Sequence, residues 1–364
     1  MKIVKAETSI VEIPFQVRGT GISITPTAWK SLEFALIRLE DELGNVGWGE
    51  GFGYFTVDAT KAIIDRLILP TLVGSTVEDI PGWNLLTQFQ LRLFGRSGIT
   101  IFAISGVDIA LWDLAAKRAG LPLCKLLGSD KLRTSIPFYA SLYPYRERKL
   151  VTTAVEEALQ SGFSSVKLHE VGLDEIEACR SVLGSDAEMS VDVNCGWSTS
   201  FVEENRGRLE KLSLAWLEEP VFPPEDFEAL RALRGKPAPI AAGENWSTAR
   251  QCKDALAARA VDYIQPSITK VGGVSEYLAV IEAAEAASVA VMPHSPYFGP
   301  GLYASVQVAA ARPAVRALEY NFVQPEAWLA DIKTLRQGDL IAVSKIPGIG
   351  FQPNLDVMNR YRRS

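Results

Sequence analysis

Seven polar side chains fall at nearly equal intervals along the second half of this chain. Lys167, Asp192, Glu218, Glu244, Ser267, His294 and Glu319 are separated by 25, 26, 26, 23, 27 and 25 residues. Each lies at the end of a short apolar run: "SSVKLHE", "MSVDVNC", "LAWLEEP", "PIAAGEN", "VDYIQPS", "VAVMPHS" and "ALEYNF", with amphipathic helical patterns between them. About 25 residues is the length of one strand plus one helix, so the pattern reads as repeated β/α units. With "SIPFYASL" upstream there are eight strand units in about 190 residues, which predicts an α/β chain built on a β/α barrel. A doubly wound open sheet also uses parallel strands but rarely reaches eight such regular units. The polar ring then lies on one rim of the barrel, and in this fold active sites sit at the C-terminal ends of the strands.

The first third has a different texture. Residues 1 to about 55 read as antiparallel strands, with Gly44-Asn45 marking a hairpin turn, and helical patterns follow in "TVDATKAIIDRLILPTLVG" and "SGVDIALWDLAAKRAG", the second ended by Gly120. We expect an α+β domain over 1–128, a barrel over 129–330, and a segment over 331–364 that returns to the first domain. A length of 364 residues accommodates one large and one small core.

Composition narrows the partners. The net charge is −6, and Lys and Arg are scattered, which argues against nucleic acid. The N-terminus alternates as a strand would and lacks the apolar core of a leader, and no apolar run reads as long enough to cross a bilayer, so the expected address is the cytoplasm with no membrane partner. Cys124, Cys179, Cys195 and Cys252 are widely spaced and are read as reduced thiols.

Asp192, Glu218 and Glu244 come from three consecutive strands, which are neighbours in a barrel. Three carboxylates in one pocket repel unless a cation neutralises them. An all-oxygen donor set without His or Cys favours Mg²⁺ over Zn²⁺. Three separate salt bridges with rim lysines are the competing reading. Strand alternation aims Lys167 and His169 at one spot, pairs Asp192 with Asn194, and turns Glu219 to the opposite face as a structural residue. Both histidines of the chain, His169 and His294, fall in this ring. Glu319 is a candidate hydrogen-bonding partner for a substrate carboxylate. "GTGIS" and "GNVGWG" lack the spacing of a nucleotide-binding loop, and "KVGGV" at 270–274 reads as a helix opening or a tight turn.

These pieces together resemble the enolase superfamily, in its mandelate racemase branch. The matching stretches are "GWGE" at 47–50, "SGVDIALWDLAAKRAGLPLCKLLG" at 105–128, "KLH" at 167–169, "VDVN" at 191–194, "WLEEP" at 216–220, "GENW" at 243–246, "KVGG" at 270–273, "PH" at 293–294 and "PGIG" at 347–350. The resemblance implies a modified (β/α)7β barrel under an N-terminal cap, a homo-oligomer, and one Mg²⁺ per subunit on Asp192, Glu218 and Glu244. It also implies removal of the proton α to a carboxylate to give a metal-stabilised enediolate.

Two departures from the resemblance shape the expected reaction. Many relatives carry Lys-x-Lys on the second strand, where this chain has Lys167-x-His169. A lysine near its ordinary pKa of about 10.4 is a poor free base at neutral pH, whereas histidine starts at about 6.5. Lys167 is therefore expected to stay charged and hold the substrate carboxylate, and to push His169 toward the neutral base. At the end of the sixth strand, where the racemase branch has Asp and the muconate-lactonising branch Lys, this chain has Ser267. Ser267 offers His294 a neutral hydrogen bond in place of a charge, which suits an acid delivering a proton to a leaving hydroxyl.

The expected activity is dehydration of a small polyhydroxy acid. Racemisation or epimerisation is the alternative, cycloisomerisation is less favoured, and a ligand-binding barrel without catalysis is the non-enzyme reading. Asn194, Ser267 and Lys270 are candidate substrate contacts from the barrel. The cap loops 16–30 and 51–59 offer Arg18, Lys30 and Tyr54.

Overall fold

The structure, a computed structural model, describes residues 1–19, 28–128 and 131–363; residues 20–27 of the first cap loop lie outside the described residues. Strands β1 (Ile3–Pro14), β2 (Ser31–Asp41) and β3 (Val46–Gly51) form an antiparallel sheet in that order. The tight turn before β3 holds Gly44 at φ 81°. The helix Ile99–Arg118 packs against this sheet, and Gly49 permits the approach: a Cβ there would stand 1.9 Å from the carbonyl oxygen of Gly106.

That helix corrects one expectation. An 18-residue window of its 20 residues has a mean hydropathy of 1.7, enough by length and composition to cross a membrane, but 78% of that window is buried inside the molecule. It is apolar all round because sheet, neighbouring helices and barrel enclose it, and a helix of that kind is a core element.

The barrel strands are β4 (Ser135–Ser141), β5 (Ser165–Leu168), β6 (Glu188–Asp192), β7 (Leu217–Glu218), β8 (Ile240–Ala242), β9 (Tyr263–Ile264), β10 (Ala290–Val291) and β11 (Leu318–Asn321). β4 to β10 pair in chain order, parallel throughout. β11 pairs with β4, and a parallel bridge from Val291 to Val315 closes the ring. Seven of the eight strands lie within the runs that the apolar pattern marks, and β6 begins one residue before its run, at Glu188. After β11 the chain forms a ribbon, β12 (Arg336–Gln337) and β13 (Leu340–Ala342), which adds antiparallel to the start of β4. The architecture is therefore (β/α)7β with an α+β cap.

Inside the barrel, Tyr139, Trp216, Ala241 and Met292 form an apolar plug. The polar layer stands directly on it: Trp216 Nε1 donates to Glu218 Oε2 at 2.9 Å, and Lys167 Nζ lies 6.0 Å from the centre of the Tyr139 ring.

The cap is fastened by buried carboxylates. Asp108 accepts from the backbone N–H and hydroxyl of Ser275 at the start of the helix Gly273–Ala286. Glu50 accepts from Gly301 N at the start of the helix Pro300–Ala311. Asp113 accepts from Trp48 N and Ile349 N, which ties the C-terminal run to the cap, and Arg363 N donates to Ile10 O on β1. Carboxylates at helix N-termini meet unpaired N–H groups and a favourable dipole. "GWGE", "KVGG" and "PGIG" are thus seam motifs. Gly273, at φ 77°, leaves room for Asp108, whose Oδ1 would stand 2.4 Å from an added Cβ.

Candidate active site

β6, β7 and β8 are adjacent, and they bring Asp192, Glu218 and Glu244 together: one oxygen from each lies within 4.8 Å of the others, all buried. The chain leaves the strand conformation around each of them, with Asn194 at φ 44°, Cys195 at 59°, Glu219 at 44° and Gly243 at 143°. Left-handed backbone on non-glycine residues is held only where surrounding structure enforces it, and it clusters at functional sites. Asn194 N donates to Asp192 Oδ1 at 2.8 Å.

The triad fits a hard divalent cation and could hold one. Burial, and then the charge of Asp192, push the Glu218 carboxyl up to about 8 against the pull of Lys167. A carboxylate crowded in this way has uncompensated negative charge nearby. Its Oε2 is occupied by Trp216 and by Gln265 Nε2 at 2.7 Å, and its Oε1, which also accepts from Lys167, is the oxygen that faces the centre. Burial works against the Glu244 charge, but His294 and Lys270 outweigh it and hold the group well below the usual carboxylate range.

Lys167 is fully buried, 2.9 Å from both Glu218 Oε1 and Glu319 Oε1 and 3.6 Å from Asp192 Oδ2. Burial disfavours its charge, yet Glu218 and Glu319 outweigh that and raise its pKa well above the ordinary lysine value. Its place is beneath the carboxylate layer, and it does not line the cavity where it was expected to meet the substrate carboxylate.

His169 Nδ1 lies 2.7 Å from Leu142 O, and Nε2 lies 3.3 Å from Asp192 Oδ2. Burial lowers its pKa, but Asp192 contributes a hydrogen bond as well as charge, and the net direction is upward. This is opposite to the expected push from Lys167, which acts through charge alone.

His294 Nε2 lies 2.8 Å from Glu244 Oε2. Its Nδ1 meets two hydroxyls, Ser267 Oγ at 3.2 Å and the Tyr297 OH at 3.1 Å, and these bond to each other. Ser267 is therefore behind the histidine and outside the cavity lining.

Over these groups lies a cavity of about 490 Å³. His169, Asn194, Glu244, Lys270, His294 and Glu319 line its floor, and Tyr54 joins them from the cap. Glu319 accepts from Ser141 Oγ at 2.6 Å besides pairing with Lys167. Lys270 Nζ is 3.7 Å from Glu244 Oε1 and 5.1 Å from the centre of the Phe52 ring.

Residues 5–128 match the family described as mandelate racemase / muconate lactonizing enzyme, N-terminal domain, and residues 150–357 match enolase C-terminal domain-like. This chain belongs to the enolase superfamily, in its mandelate racemase/muconate lactonizing enzyme group. Arabinonate dehydratase of Saccharolobus solfataricus is 30% identical over 355 residues, 94% of each chain. D-galactarolactone cycloisomerase of Agrobacterium fabrum is 29% identical over 370 residues, 93% of this chain and 95% of that one. A racemase from Streptomyces coelicolor A3(2), solved with bound magnesium, has a TM-score of 0.85 at 25% identity over 99% of this chain and 100% of that one.

A dehydratase, a cycloisomerase and a racemase all resemble this superfamily member at similar distance, so membership alone does not select the reaction. Four residues need correction or addition: Arg18, Lys30, Glu219 and Tyr297. Arg18 is paired with Glu157 at 2.6 Å and lies outside the cavity, and Lys30 is exposed, whereas its neighbour Trp29 lines the wall. Glu219 is not turned away: because β7 ends at Glu218, alternation does not extend to it, and it lines the cavity and accepts from Asn245 Nδ2 at 2.8 Å. Tyr297 carried no signal in the spacing, since it sits in the loop after β10.

Proposed function

We propose that this enolase-superfamily protein takes the proton α to the carboxylate of a small hydroxy acid and expels the β-hydroxyl, as a sugar acid dehydratase. Asp192, Glu218 and Glu244 would hold one Mg²⁺ per subunit, which supplies positive charge to the substrate carboxylate and acidifies the adjacent C–H. The observation that carries the reading is that both histidines present Nε2 to members of one carboxylate triad, from strands on different sides of the barrel.

A carbonyl oxygen only accepts, so Leu142 fixes the proton of His169 on Nδ1 and leaves Nε2 as the basic nitrogen. His169 Nε2 takes the α-proton, and the electron pair of the broken C–H bond forms the C=C bond as the β C–O bond breaks. His294 delivers a proton to the departing oxygen, which leaves as water, and the remaining enol becomes a 2-keto acid. Lys270, on the floor, gives the substrate carboxylate a cation, while Lys167 keeps the carboxylate layer from repelling itself.

The relatives that are dehydratases support this reading, and Ser267 with Tyr297 supports it further, because His294 has only neutral partners on Nδ1. Incubating the Mg²⁺-loaded protein with a panel of aldonates tests it: 2-keto acid is expected, and configurational inversion without 2-keto acid would make the protein a racemase. The reading includes a homo-oligomer and a cytoplasmic address, the first tested by light scattering.

A further inference from the structure

The cap helix Ile80–Gln90 is inside out. Its buried face carries Asn84, Thr87 and Gln88, whereas Leu85, Leu86 and Phe89, with Leu93 and Phe94 of the following 3₁₀ turn, are 54% to 86% exposed. A surface helix ordinarily buries its apolar stripe and leaves its polar residues in water. Gly82, Leu85, Leu86, Phe89 and Leu93 follow one another at three- and four-residue intervals, so they form a single ridge.

The polar face holds that ridge outward. Asn84 Nδ2 donates to Asp108 Oδ2 at 2.8 Å and to Gly272 O at 2.7 Å, at the seam between cap and barrel. Gln88 Nε2 donates to Asn84 Oδ1 at 2.8 Å, and Arg96 Nη2 donates to Gln88 Oε1 at 2.8 Å. Turning the helix to bury its leucines would take a donor from two interior oxygens, which is costly. The ridge is therefore a fixed surface, and contiguous exposed apolar surface of this kind marks an interaction site.

Its two ends carry opposite charge. Glu78 and Asp79 precede the ridge, Arg92 and Arg96 lie at its far end, all four are exposed, and none has an ion-pair partner among the described residues. Acids first and bases last suit the dipole of their own helix. They also make the ridge complementary to an antiparallel copy of itself. Gly82 and Phe89 are equally far in sequence from the middle, between Leu85 and Leu86, and so are Asp79 and Arg92.

We infer that this ridge is a two-fold interface between copies of the chain. About an axis between Leu85 and Leu86, each Leu85 meets a Leu86 across the axis. Each Phe89 ring lies over a Gly82, which has no side chain, and each Arg92 reaches an Asp79. Every contact of such an isologous pair occurs twice. A standard interface covers about 800 Å² on each partner with an apolar centre and a polar rim, and the ridge with its charged ends has that arrangement. The inference gives a surface to the homo-oligomer named above and is independent of the reaction.

Sedimentation equilibrium on the full chain tests it. The wild type is expected to be a dimer or a multiple of dimers, and Leu85→Asp to weaken the pairing at least about tenfold. Circular dichroism of that variant should be unchanged, because the side chain is already exposed. Asp79→Lys and Arg92→Glu should each weaken the pairing, and the two together should restore it in part. Asp79 makes no side-chain cap bond, so its substitution removes none. A monomeric wild type overturns the inference and leaves the ridge to a different protein or a lipid surface. It also removes the homo-oligomer, while the dehydration reading stands. An assembly unchanged by Leu85→Asp overturns the inference alone, and so does an exchanged pair no better than either single variant.

Discussion

The carbonyl oxygen of Leu142 and His169 Nδ1 lie 2.7 Å apart, across the tops of two neighbouring barrel strands. That contact sets which nitrogen of the histidine is available, because the Nδ1 proton has an acceptor that never ionises. His294 has no such fixed acceptor. Its Nδ1 meets two hydroxyls that can each donate or accept, so the Nδ1 side can follow the state of Nε2, which faces Glu244 Oε2 at 2.8 Å.

Replacing Glu244 by Gln makes one of the three triad donors neutral. Calorimetric Mg²⁺ affinity is expected to fall at least about tenfold, with activity falling alongside it. Wild-type affinity in this variant would remove Glu244 from the site.

Tyr297→Phe takes away one of the two hydroxyls on His294 Nδ1 and leaves the ring in place. A drop in kcat of about tenfold with little change in KM is expected, since the hydroxyl touches the histidine and does not line the cavity. An effect confined to KM would place Tyr297 in substrate binding instead.

The barrel and the triad were legible because each strand ends in a polar residue one β/α unit after the last. Lys167, Asp192, Glu218 and Glu319 lie within strands that the pattern marked. The misses have local causes. Glu219 was assigned by alternation, which presumes extended chain, and φ 44° breaks that presumption. Tyr297 comes from a loop, where no period operates, and so do the rings at positions 29, 52, 54 and 143, while Phe102 lies on the helix Ile99–Arg118; only the tertiary fold joins them. Arg18 looked like a ligand contact from its place in a cap loop, and no spacing rule pairs it with Glu157 on a barrel helix.

The seam carboxylates make stability pH-dependent. Burial pushes Glu50 from 4.5 up to about 7. The folded state thus binds this proton more tightly than the unfolded chain, so the contribution is complete below the unfolded pKa and is lost as pH rises through the folded one. At 1.36 kcal/mol per unit the loss is on the order of 3 kcal/mol. Glu50→Gln can still accept from Gly301 and never ionises. Its unfolding midpoint relative to wild type should therefore rise between about pH 5 and about pH 8, and an offset independent of pH contradicts the assignment.

Gly273→Ala tests the same seam sterically. The position has φ 77°, and the new Cβ would stand 2.4 Å from Asp108 Oδ1. A loss of about 2 kcal/mol or more in urea unfolding is expected. A change within about 0.5 kcal/mol would mean that the cap carries no close contact there.

The most direct test of the two-histidine account is α-proton exchange in D₂O with a turned-over sugar acid, comparing His169→Asn and His294→Asn under Mg²⁺. If His169 is the base and His294 the acid, His294→Asn keeps C2 exchange while 2-keto acid formation falls by about 10²–10⁴-fold, and His169→Asn loses both. Normal exchange by His169→Asn would contradict the account, because the base would then be another group.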